Sequence, residues 1–78
     1  MNSLTSKHIR AYLAEFCPSP GYVLNLTRTS FEELVDEAID VDISHMSESN
    51  GKRLKHLLQT CTDEQVELLV EALRALSA

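Results

Sequence analysis

A chain of 78 residues holds one domain with a modest core, and a hydrophobic content of 44% is too high for a disordered chain. Two tyrosines, two phenylalanines and no tryptophan leave the interior to leucine, valine and isoleucine. A formal net charge of −5 argues against generic binding to nucleic acid or to anionic membrane, and no run approaches the roughly 18 apolar residues of a membrane span.

The first predicted helix runs from about Leu4 to Phe16, capped by Ser3, with Ile9, Tyr12, Leu13 and Phe16 on one face at i, i+3, i+4, i+7 spacing. Pro18, Pro20 and Gly21 then break the chain. The segment that follows, Tyr22-Val23-Leu24-Asn25-Leu26, is too apolar for an exposed linker and is expected across the groove between the first two helices. A very short strand pair between 22–26 and 41–43 is the alternative.

The second helix is predicted to start at Ser30, where Ser30-Phe31-Glu32-Glu33 fits a capping box. Phe31, Leu34, Val35, Ala38 and Ile39 form its inward stripe, with Glu32, Glu33, Asp36, Glu37 and Asp40 opposite. Acids in a first turn suit the helix dipole, whereas those toward the C-terminal end do not, so their retention there points to a purpose other than helix stability.

Val41-Asp42-Ile43 alternates as an extended segment does when one side is buried. The polar run His45–Gly51 reads as a loop, and a third helix follows from about Lys52 to Cys61, or from as early as Ser47. Its inward residues are Leu54, Leu57, Leu58 and Cys61, and its outward ones Lys52, Arg53, Lys55, His56 and Gln59. Thr62-Asp63-Glu64-Gln65 is a second capping box and opens the last helix, to about Leu76. That helix is apolar around most of its circumference, as a central helix or an interface helix is. The whole, residues 1–78, reads as a single all-α domain, a compact bundle of four helices with an apolar loop.

Chemistry-bearing patterns are sparse. His8, His45 and His56 stand in no nucleophile or metal spacing, and Cys17 and Cys61 form no CxxC pair, so neither metal nor cofactor is expected. The two cysteines read as reduced, partly buried thiols. Asp40-Val41-Asp42-Ile43-Ser44 imitates the start of a calcium loop but lacks its glycine at the sixth position and its glutamate at the twelfth. Ser49–Lys55 places a helix start beside three cations, a fair anion site, without a Walker loop or an aromatic platform.

The charge is divided along the chain. Six of the twelve acids fall between Glu32 and Asp42, while the stretch Ser49–Thr62 contains none and carries Lys52, Arg53 and Lys55. An acidic face of Glu33, Asp36, Glu37 and Asp40 and a basic face of Lys52, Arg53 and Lys55 are the candidate partner-binding residues. The partner is another protein or a second copy of the chain; the competing reading is that the cations pair with the acids inside the monomer.

One set of runs goes beyond periodicity: Gly21-Tyr-Val-Leu-Asn-Leu-Thr-Arg-Thr-Ser-Phe31, then Ile39-Asp-Val-Asp-Ile43, then Gly51-Lys-Arg-Leu54. In order and spacing, over about Gly21 to Leu58, this resembles a small module of bacterial abortive-infection and related phage-defence proteins. The chain departs from that pattern at Asn25, where the module has Asp, at Ser30, inserted before the Phe, and near Gly51, where a Ser-Lys pair is shortened. The resemblance implies a non-enzymatic accessory or adaptor in the bacterial or phage cytoplasm, with Arg28, Phe31, Asp42, Lys52, Arg53 and Leu54 as matching positions. Phe31 and Leu54 then read as core, and Arg28 and Arg53 as ligands of Asp40 or Asp42. Two alternatives come from other classes: a small acidic phage-encoded inhibitor that mimics nucleic acid on a host protein, and a small DNA-binding regulator using the Gly51–Lys55 helix start.

Overall fold

The structure, a computed structural model, describes residues 2–19 and 21–77; Pro20, part of the expected loop, lies outside them. Among the described residues four helices follow one another: α1 (Ser6–Phe16), α2 (Arg28–Ile39), α3 (Asn50–Thr60) and α4 (Asp63–Ser77). α2 packs on α4 and α1 on α3, and the two pairs close around one core. The domain is an all-α bundle, as its periodicities predict.

The caps explain where the helices begin. α4 starts where its capping box predicts, with the Gln65 amide donating to Thr62 Oγ1 at 3.1 Å and the Thr62 amide to Gln65 Oε1 at 3.0 Å. The starts of α1 and α2 are displaced, while that of α3 falls within the expected range. α1 begins at Ser6 with Thr5 as its cap, because Ser3 is drawn away: its amide and hydroxyl both donate to Asp63 Oδ1, at 2.8 and 2.9 Å. α2 begins at Arg28, since Thr27 accepts the Ser30 amide at 3.0 Å; the box expected at Ser30 does not form, and the first turn holds no acid. α3 begins at Asn50 under a Ser49 cap.

The apolar loop joins the core through one residue above all. Val23 is wholly buried, Leu24 and Leu26 are half-buried, and Tyr22 faces solvent. Among the described residues no strand pair forms, which corrects the alternative for 22–26 and 41–43. The reason is local: the Leu24 amide donates to the Phe16 carbonyl at 2.7 Å, the Leu26 amide turns back to Val23, and Leu24 takes a left-handed φ of 51°. A chain curled in this way offers no ladder edge. The segment 41–43 is extended, with Ile43 buried and Asp42 outside.

The loop is also fastened to α3. Gly21 (φ 82°) accepts the Gly51 amide at 3.2 Å, and a Cβ on Gly51 would stand 3.3 Å from the Gly21 Cα. Two glycines permit this approach of a turn to the first turn of a helix.

α4 is central along Val66, Leu69, Val70 and Leu73, while Leu68 and Leu76 remain exposed. Its last turn is clamped to α1, where Arg74 forms a two-pronged pair with Glu15, at 2.8 and 3.0 Å, and stacks over Tyr12.

Candidate interaction surface

The charged residues divide into a buried network and an exposed set, and the division does not follow the sequence blocks. Arg53, expected outside with Lys52 and Lys55, is completely buried. The inward stripe of α3 is Asn50, Arg53, Leu54, Leu57 and Leu58, and Arg53 lies on it about one turn before Leu57. The signal was the stripe itself: stepping back four residues from Leu54 and from Leu57 reaches positions 50 and 53.

Burial of the guanidinium is made tolerable by its partners. Nη1 donates to Glu32 Oε2 at 2.9 Å and to the Ile43 carbonyl at 3.2 Å, Nη2 donates to Asn50 Oδ1 at 2.7 Å, and the group lies over the Phe31 ring at 5.8 Å. Nε has no partner. Asn50 passes the network on, its amide reaching the Leu26 and Thr27 carbonyls, both at 3.2 Å. One side chain therefore links α2, the extended 41–43 segment and α3, and through Asn50 the end of the apolar loop.

Two further expectations change. Glu32 belongs to this network and not to the outer acidic face. Arg28 and Arg53 do not bind Asp40 or Asp42: Arg28 donates to the Glu48 and Met46 carbonyls, at 2.6 and 2.8 Å, and so ties α2 to the loop before α3. Phe31 and Leu54 are fully buried, as core residues are.

The remaining candidates are exposed. Glu33, Asp36, Glu37 and Asp40 lie on the solvent side of α2, and Lys52 and Lys55 on that of α3. Among the described residues no ion pair joins these two groups; the pairs present are Arg53–Glu32 and Arg74–Glu15. Pairing within the monomer thus accounts for Arg53 but not for the lysines.

The helix pairing sharpens the separation. Apart from Arg28, which is bonded to backbone carbonyls, and the Arg74–Glu15 pair, α2 and α4 carry the exposed acids Glu33, Asp36, Glu37, Glu64, Glu67 and Glu71, while α1 and α3 carry the exposed cations Lys7, Arg10, Lys52 and Lys55. Asp40 extends the acidic side as the C-cap of α2, in a left-handed conformation (φ 55°) that is unusual for a residue with a Cβ.

A groove of about 310 Å³ opens between α1 and α3, lined by Ser6, Ile9, Arg10, Leu13, Lys55 and Gln59. Arg10 was not among the sequence candidates; nothing in α1 alone shows that it stands beside Lys55. A second hollow of about 310 Å³ brings His45 and His56 to one surface with Asp42 and Cys61. Among the described residues no group of three or more His, Cys, Asp or Glu is placed to hold a metal ion.

Titration follows local bonding. Hydrogen bonds from Ser44 hold the Asp42 carboxyl below the usual aspartate range, the Ser3 amide and hydroxyl do the same for Asp63, and Arg74 does so for Glu15. Both cysteines are free, and burial pushes the thiols of Cys17 and Cys61 up, away from the nucleophilic thiolate. Among the described residues no helix is long and apolar enough to cross a membrane.

No family model matches the chain, and neither a curated protein nor a solved structure does.

Proposed function

We propose that the protein is a non-enzymatic protein–protein interaction module, an accessory or adaptor of a bacterial phage-defence system that acts in the cytoplasm. The observation that carries this reading is the separation of charge: Arg28 and the Arg74–Glu15 pair apart, exposed acids gather on α2 and α4 and exposed cations on α1 and α3, and among the described residues no ion pair joins the two sets. Complementary fields of this kind select partners and accelerate encounter. The placement in phage defence rests on the sequence motifs of Gly21–Leu58.

Docking uses Glu33, Asp36, Glu37 and Asp40 on one side and Lys52 and Lys55 on the other; Arg53 is withdrawn from the basic face by its burial. The acidic helix also supports a second reading, an inhibitor that occupies a nucleic-acid site on a host protein, because its exposed side presents carboxylates in helical register.

The test is a tagged pull-down from nuclease-treated bacterial lysate at low and moderate salt, with charge-reversed variants in parallel. A discrete partner lost at moderate salt and lost with Lys52→Glu/Lys55→Glu fits an adaptor that docks through its basic face. Loss with Asp36→Lys/Glu37→Lys and competition by nucleic acid fits the inhibitor. A partner that survives both double variants overturns charge-guided docking.

A further inference from the structure

The two charged surfaces differ in form as well as sign, a groove on one and an exposed leucine on the other. The groove between α1 and α3 has Ile9 and Leu13 in its lining and Arg10 and Lys55 as its cations. No acid lines it. The outer face of α4 has the converse form: Leu68, 46% exposed, stands between Glu64 and Glu71, four residues before it and three after, with Glu67 adjacent. An apolar ridge flanked by carboxylates thus faces solvent on one helix pair, and an apolar groove flanked by cations on the other.

From this we infer that the occupant of the α1–α3 groove is the α4 face of a second copy of the chain. Leu68 enters over Ile9 and Leu13, and the carboxylates of Glu64, Glu67 and Glu71 meet Arg10 and Lys55. Groove and ridge are different surfaces of one molecule, so the contact is heterologous. Each subunit added leaves one groove and one ridge open, and assembly continues head to tail beyond a dimer until the rotation closes a ring. A two-fold dimer through either surface alone would place like charges opposite each other. The inference deepens the reading of the charged faces as docking surfaces by naming the partner of one of them.

The architecture, and not affinity alone, is what the experiment must read. Sedimentation velocity on the full chain up to about 1 mM, at roughly 0.05 M and 0.5 M salt, should show mass growing with concentration beyond a dimer, and less so at the higher salt. A groove variant, Arg10→Gln/Lys55→Gln, and a ridge variant, Leu68→Ser/Glu71→Gln, should each weaken self-association about tenfold or more. All four side chains are exposed, and circular dichroism checks that both variants fold.

The decisive arm mixes the two variants. Each retains one working surface, so the mixture should stop at a one-to-one pair. A wild type that stays monomeric overturns the inference, while a foreign partner in the pull-down would leave the broader docking reading intact. Unchanged self-association in either variant, or a mixture that forms no pair, likewise overturns it.

Discussion

Lys52, Arg53 and Lys55 are near neighbours in sequence, yet they occupy two electrostatic regimes. Arg53 is enclosed by Glu32, Asn50, the Ile43 carbonyl and Phe31, whereas Lys52 and Lys55 stand in solvent without an acidic partner. Successive helix positions are rotated by roughly 100°, which is enough to divide one basic cluster between the interior and a surface. The buried arginine is part of what holds three segments together; the lysines contribute little to the fold and are free for recognition.

Removing Arg53 should have the largest effect. Arg53→Ala strands the Ile43 carbonyl and Asn50 Oδ1 and opens a cavity under Phe31, a loss of about 3–5 kcal/mol. A chain of this size has about 4–12 kcal/mol in all. Urea unfolding followed by circular dichroism should therefore find it at or near the edge of stability; a loss below about 1 kcal/mol would erase the contrast with the lysines.

Glu32→Gln keeps the shape but removes the counter-charge of a buried guanidinium, and about 2 kcal/mol should be lost in the same assay. Because Glu32 is itself half-buried, this effect should fall below that of Arg53→Ala.

Asp40→Gly tests the acidic side in the opposite sense. Glycine relieves the left-handed C-cap and removes a negative charge from the negative end of the α2 dipole, so stability should rise by about 1 kcal/mol. Partner capture should weaken in the same variant, which would mark Asp40 as retained for binding at the expense of the fold.

The Lys52→Glu/Lys55→Glu variant should change stability by no more than about 0.5 kcal/mol. Acid has a gentler action than any loss at Arg53. Glu15, Asp42 and Asp63 have folded values below their unfolded ones, so the stability they give is present above the ordinary carboxylate range and is lost as pH falls through the folded values. Thermal midpoints should be flat from about pH 7 to 5 and decline below about pH 4. In an Arg74→Gln variant the Glu15 share of that decline should shrink.

Much of this fold is legible in the sequence because the apolar stripes of all four helices repeat at helical spacing. The capping box at Thr62 is correct because both members act locally. The starts of α1 and α2 are not legible, since they depend on distant or competing groups: Ser3 is taken by Asp63, and Thr27 reaches the Ser30 amide first. The same holds for the site. Glu33, Asp36, Glu37, Asp40, Lys52 and Lys55 are exposed as one helix at a time predicts, but the fate of Arg53 depended on a polar residue belonging to an apolar stripe. Arg10 meets Lys55 only through the packing of α1 on α3.

The two thiols give this small domain an internal gauge of its own breathing. Cys61 sits at the corner between α3 and α4, 6% exposed, its amide bonded to the Leu57 carbonyl and its own carbonyl held by the Asn2 side chain at 2.7 Å. Cys17, at the end of α1, is half-buried. Because the Cys61 side chain is nearly buried, its alkylation should be slowed by the need for local opening, and its labelling rate reports on that opening. The ratio of the two rates then maps which end of the bundle loosens first, with no label introduced and no residue changed.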